Sequence, residues 1–206
     1  MEAIKRHSET RKHQSGDVRR GQIKEAVKEI LFNEGLQRLT TKNIAQKVGI
    51  SEGTVFKHFL SKKAIINEIL NDVMEELVEP LQETSQGPGS ASLRLEKFVC
   101  FHLDYLARNK GITILLFTEA SYQNDVELKK RLDKTYKILS DSFASLIRNG
   151  IKEGEWDEAV SVYDLASLYM GIPLSMNIEM LLHDGKIHEL SYCKSMLKMI
   201  KRILRK

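Results

Sequence analysis

Residues 40–59 read TTKNIAQKVGISEGTVFKHF, and no other stretch narrows the choice of folds so far. Ile44, Ala45 and Val48 form an apolar stripe at helical spacing, and Val55, Phe56 and Phe59 form a second. Gly49 stands between them, where a turn wants positive φ and a residue without Cβ adopts it at little cost. Ser51 follows, where a hydroxyl accepts from the orphan N–H groups of a new helix. Two short helices joined this way are expected to form a helix-turn-helix, which lays its second helix in the DNA major groove. An ordinary hairpin inside a bundle carries the same local pattern, so the surrounding residues have to decide.

Thr40, Ser51 and Ser61 each read as an N-cap. Each has an apolar residue before it and another four places after it: Leu39 with Ile44, Ile50 with Val55, Leu60 with Ile65. That is the hydrophobic-staple spacing three times over, and it favours a compact module. Charge agrees. Residues 1–63 hold 14 Lys and Arg against 7 Asp and Glu, and the rest of the chain holds 18 against 21. The positive potential is thus concentrated in the third that carries the hairpin, as phosphate binding requires.

From Ile23 to Leu70 the chain resembles the DNA-binding domain of the tetracycline-repressor (TetR) family. The resemblance rests on Leu31-Phe32 and Gly35, then Thr40, Ile44-Ala45, Gly49-Ile50-Ser51, Gly53-Thr54, His58-Phe59 and Ser61-Lys62. One departure is Phe56, where the family usually has Tyr. The ring is expected to keep the packing, and the phosphate contact of a hydroxyl should be absent. Glu52, Gly53, Thr54 and Lys57 are expected to face the bases. Thr40, Thr41, Lys42, Ser51, His58 and Lys62 are expected to hold phosphates through hydroxyls, charge and helix N-terminal amides.

Helical periodicity, only three prolines and no sustained strand alternation predict an all-α chain of about nine helices. The expected division is a flexible basic arm over 1–17, a helix-turn-helix domain over 18–63, and a ligand-binding and dimerisation domain over 64–206. A first helix is expected over about 18–33, and a fourth from Lys62 toward Pro80. Residues 85–90, SQGPGS, read as a linker. Further helices are expected over about 91–109, 112–122 and 125–153, then one after Trp156-Asp157 containing Pro173, which should kink it, and a last one over about 187–204.

The longest apolar run, Ile112–Phe117 broken by Thr113, is too short to cross a bilayer, and the polar start carries no secretory signal. No membrane partner and a cytoplasmic location are expected. Cys100 and Cys193 lack any C-x-x-C or histidine cluster and read as buried free thiols. No metal site, cofactor or catalytic constellation is expected: the six histidines show no ligand spacing, and nucleophile elbow, P-loop and G-x-G-x-x-G are all missing.

Leu190, Cys193, Leu197, Ile200 and Leu204 make a heptad-like seam on the last helix, and Tyr169, Met170 and Met176 belong to an apolar strip on the helix before it. The family resemblance implies that these two helices pair with their symmetry mates, so Tyr169, Met170, Met176, Leu190, Leu197, Ile200 and Leu204 are the expected dimer contacts. It also implies an inducer between the fourth and eighth helices, whose binding respaces the two DNA-reading heads. Phe98, Phe101, His102, Tyr105, Phe117, Tyr122 and Tyr136 are the candidates for its pocket, with His102 and Tyr105 as polar anchors. The sequence therefore points to a homodimeric regulator, a repressor bound to a double-stranded DNA operator and released by a small hydrophobic effector. A helical protein that binds DNA indifferently or binds a partner without an effector stays open, as does an enzyme that borrows the hairpin.

Overall fold

The computed structural model describes residues 16–122 and 124–205, and every regular element in them is helical. Residues 1–15 of the expected arm lie outside the described residues, and Gly16 and Asp17 already belong to the first helix, α1 (Gly16–Glu34). A short 3-10 turn, Leu36–Arg38, leads to α2 (Thr41–Val48) and α3 (Glu52–His58). An uninterrupted helical stretch follows, α4, residues 62–86, made of Lys62–Val73, a π turn at Met74–Val78, and Glu79–Gln86. Then come α5 (Ala91–Arg108), α6 (Ile112–Tyr122), α7 (Val126–Lys152), α8 (Val162–Leu182) and α9 (Glu189–Ile203).

The helix starts follow the capping chemistry. Thr40, Ser51 and Ser61 accept from the backbone N–H groups of Asn43, Thr54 and Ala64 at 3.1, 3.2 and 3.1 Å. Gly49 takes φ of 74°, and the N–H groups of Gly49 and Ile50 close onto Gln46 and Ala45 carbonyls, ending α2. Two of the three expected staples have both members buried or partly buried. The third fails, because Leu60 is 89% exposed while Ile65 is buried.

Pro80 does not end α4. The ring cannot donate and crowds the carbonyl four residues back, and the widened π turn just ahead of it lets the helix continue to Gln86. The expected linker is accordingly shorter: Ser85 is buried inside α4, and only residues 87–90 turn the chain toward α5, whose cap is Ser90.

One continuous core joins the hairpin to the bundle, from Ile23 through Val73, Leu95 and Phe143 to Leu204. In the bundle α5 packs against α7, α8 and α9, and α8 lies along α7. By length and composition α8 is the one described helix apolar enough to cross a membrane. Its burial explains that composition differently: Leu165, Tyr169, Met176 and Met180 fill the core, and the opposite side carries exposed apolar residues. Cys100 and Cys193 are not free thiols. They form a disulfide between α5 and α9 with Cα atoms 5.4 Å apart, because the seam of α9 is turned toward α5 of the same subunit.

Candidate nucleic-acid interface and cavity

α3 presents a continuous outer face. Ser51, Glu52, Gly53, Phe56 and Lys57 are exposed, and Thr54 and His58 are partly so. Thr40 and Lys42 are exposed at the start of α2, and Thr41 and Lys62 are partly buried beside them. All ten expected DNA contacts therefore sit on the α2–α3–α4 surface. They are prearranged among themselves: the Thr41 hydroxyl donates to the Glu52 carboxylate at 2.9 Å, and the Ser51 and Thr54 hydroxyls lie 2.9 Å apart. Phe56 departs from expectation. It is 47% exposed and does not pack in the core, so it offers an apolar edge suited to a thymine methyl or a sugar.

Arg20 is a positioning residue that the sequence reading missed. From α1 its guanidinium donates to the His58 carbonyl at 2.7 Å, closing the end of α3. It also pairs with Glu68 on α4 at 2.9 Å and stacks over Phe59 at 4.3 Å. Its hydrogen bond to Glu68 holds that carboxyl below the usual carboxylate range. One side chain thus ties together the end of the recognition helix and the helices on either side. No periodicity signals such a contact, which joins residues 38 positions apart.

A cavity of about 240 Å³ lies among α5, α6, α7 and α8. His102 and Leu106 line it from α5, Phe117 from α6, Thr135 and Tyr136 from α7, and Met170 and Pro173 from α8. Of the expected ligand residues, His102, Phe117 and Tyr136 line this space. Phe98 does not: it is fully buried against Phe143 and Tyr169, filling the core. Phe101 and Tyr105 are not in the lining, and burial pushes the Tyr105 phenol up, so it stays protonated. The side chain of Tyr122 lies outside the described residues. Met170, expected at a dimer contact, lines the cavity instead.

α4 does not touch the cavity, contrary to expectation, because α7 intervenes. Val73 and Leu77 are fully buried in the core. The connection is made at one remove, through Thr135, whose hydroxyl lies 3.7 Å from the Met74 sulfur at the π turn of α4.

At the cavity wall His102 is buried, and its Nδ1 lies 2.8 Å from the Tyr169 hydroxyl. Burial lowers the imidazole to about 4, so it is neutral near pH 7. Tyr169 is held by a stacked Phe143 ring, 3.9 Å away and 2° from parallel.

The expected dimer contacts divide. Tyr169, Met176, Leu197, Ile200 and Leu204 are buried within the subunit, where α8 and α9 pack on α5, so they are not free to meet a partner. Leu190 is exposed. The outward apolar stripe belongs to other residues of the same two helices: Leu168, Leu174, Ile178 and Leu182 on α8, and Met199 and Ile203 on α9.

A capped helix-turn-helix with an exposed second helix, in the basic third of the chain and mounted on a helical bundle, defines a DNA-binding regulator. The profile of bacterial regulatory proteins of the tetR family matches residues 23–69, and that of the YsiA-like C-terminal region matches residues 70–203. The chain belongs to the TetR family of transcription regulators, which are not enzymes. Among curated relatives, the nucleoid occlusion factor SlmA of Marinobacter nauticus is 28% identical over 137 residues, 66% of this chain and 68% of that protein. Among solved structures, the regulator FadR from Bacillus subtilis in complex with stearoyl-CoA superposes with a TM-score of 0.69 at 21% identity, covering 87% of this chain and 96% of that one. The ketosteroid transcriptional regulator KstR2 of Mycobacterium tuberculosis gives 0.77 at 17% identity, covering 91% and 95%. At such identities the superpositions establish the fold.

Proposed function

We propose that the protein is a homodimeric, cytoplasmic repressor that grips a near-palindromic operator and is released when a small hydrophobic compound enters the cavity. The observation that carries this reading is the position of the cavity. Thr135 links its wall to α4, which starts just beyond the turn that follows α3. A second link runs from the turn between α5 and α6: Asn109 accepts from Lys28 at 2.7 Å, Lys110 pairs with Glu29 at 3.1 Å, and Glu29 pairs with Lys47 on α2 at 3.0 Å. A ligand that parts α6 from α7 would strain both links and shift the hairpin. It acts only through a difference in affinity between the bound and released states. The stearoyl-CoA held by FadR supports an effector in this bundle.

The test is to select bound fragments from random DNA, then measure operator affinity with and without a panel of apolar compounds. The expected outcome is binding that prefers one near-palindromic sequence by at least about a thousandfold and that a compound weakens. Salt-sensitive binding with no sequence preference, indifferent to every compound, would replace the repressor with a protein that binds DNA indifferently and has no effector.

A further inference from the structure

The two ring nitrogens of His102 have different fates. Nδ1 meets the Tyr169 hydroxyl at 2.8 Å. The other, Nε2, has no partner among the described residues and is not sealed off, since the buried, unpartnered side-chain atoms among those residues belong to Arg94 and Asn177. His102 lines the cavity, so this nitrogen has the cavity to answer to.

Which proton it carries follows from Tyr169. That residue is fully buried, and among the described residues its hydroxyl has Nδ1 as its one hydrogen-bonding partner. A buried O–H left without an acceptor is costly, so the phenol donates and Nδ1 accepts. The ring proton then sits on Nε2, which becomes a donor. The stacked Phe143 ring holds Tyr169 in place and leaves the arrangement little freedom to reverse.

Among the described residues the rest of the lining supplies hydroxyls at Thr113, Thr135 and Tyr136 and is otherwise apolar, with no Lys, Arg, Asp or Glu. An ionised ligand group would lose its hydration with no opposite charge to replace it. The space equals roughly eight water volumes, at about 30 Å³ each. A coenzyme A thioester would bring several phosphates to a site whose described lining offers no cation.

We propose that the cavity binds a compact, uncharged, apolar molecule carrying a carbonyl oxygen, which accepts a hydrogen bond from Nε2 of His102. This rests on the effector reading for its consequence on DNA, but not for the binding itself. Carboxylates of the same shape are excluded at neutral pH, and hydrocarbons of the same shape bind more weakly.

Three probes of nearly equal shape test it on the full chain: cyclohexyl methyl ketone, cyclohexanecarboxylate and ethylcyclohexane. Calorimetry or ligand-observed NMR at pH 7 should show the ketone binding about tenfold more tightly than the hydrocarbon, as one hydrogen bond allows, and no binding of the carboxylate. His102→Leu should bring the ketone down to the level of the hydrocarbon. If that variant folds poorly, the imidazole ¹⁵N signals of the wild type serve: a proton on Nε2 of His102, with a shift when the ketone is added, is required. Equal binding of carboxylate and ketone, a proton on Nδ1, or no binding by any probe would overturn the proposal. Ketone binding that leaves operator affinity unchanged would retain the site and remove the effector role.

Discussion

Lys57 and Phe56 stand side by side on the exposed face of α3, one charged and one apolar, with Gly53 a turn earlier allowing close backbone approach. Replacing Lys57 by Ala should weaken operator binding by about 1–3 kcal/mol if the ammonium reads a base, or lower the salt slope by about 1 if it holds a phosphate. Titrating the DNA at several salt concentrations separates the two, and an unchanged affinity and slope would remove Lys57 from the interface. His102 gives a second prediction at this scale. Its folded-state value is about 4, against 6.5 when exposed, so the unfolded chain takes up a proton first. The contribution is full above about pH 6.5 and is lost as pH falls toward 4, at up to roughly 1.4 kcal/mol per pH unit. His102→Leu should flatten that part of the stability profile. Gly150 is fixed by space: a Cβ there would come within 2.3 Å of the Trp156 ring and 2.8 Å of Ala91 Cβ. Gly150→Ala should therefore cost about 1–3 kcal/mol in denaturant titration, through overpacking.

Between elements, the Cys100–Cys193 bond pins α9 to α5 across 93 positions of sequence. Closing a loop of that size is worth about 4–5 kcal/mol by chain entropy alone, and less where the reduced chain keeps structure. Cys193→Ser should accordingly lower the melting temperature by several degrees, and the wild type should fall toward it in reductant. A variant as stable as the oxidised wild type would show that packing of α9 on α5 suffices. This bond also marks where the sequence stops being legible. Caps, staples and glycines are local, and they located α2, α3, α5, α6 and α7 closely. Cysteine pairing is not local, and neither is the Arg20 contact to His58. The seam of α9 was visible in its spacing, but spacing cannot say which neighbour a seam faces. It faces α5 of its own subunit. α8 is harder still: it is apolar nearly all round, so periodicity could not separate its inner residues from its outer ones. Likewise the aromatic content of α5 marked a core without showing which rings fill it and which border a space.

For the molecule as a whole, reading two half-sites requires two recognition helices held about 34–36 Å apart, one helical turn of DNA or a multiple of it. One subunit has a single α3, so in the proposed homodimer the second comes through an isologous surface. The exposed side of α8 and α9 fits that need. Leu168, Leu174, Ile178 and Leu182 recur at helical spacing, with exposed Gly171 and Ser175 between them to let a partner helix come close, and Met199 and Ile203 extend the patch. A charge at Leu197 would be a poor test, because that side chain is buried in its own subunit and the change would unfold it. Ile178 is 48% exposed at the middle of the stripe, so Ile178→Glu leaves the core intact. In a dimer the carboxylate would face its own symmetry mate or an apolar surface, and an unpaired buried charge there is strongly unfavourable. Sedimentation at micromolar concentration should find the wild type dimeric and the variant monomeric, with unchanged helical content. Specific operator affinity should then collapse while weak, salt-sensitive binding to any duplex survives through the single α3. A wild type that sediments as a monomer, or a variant that stays dimeric, would place the interface elsewhere on the molecule.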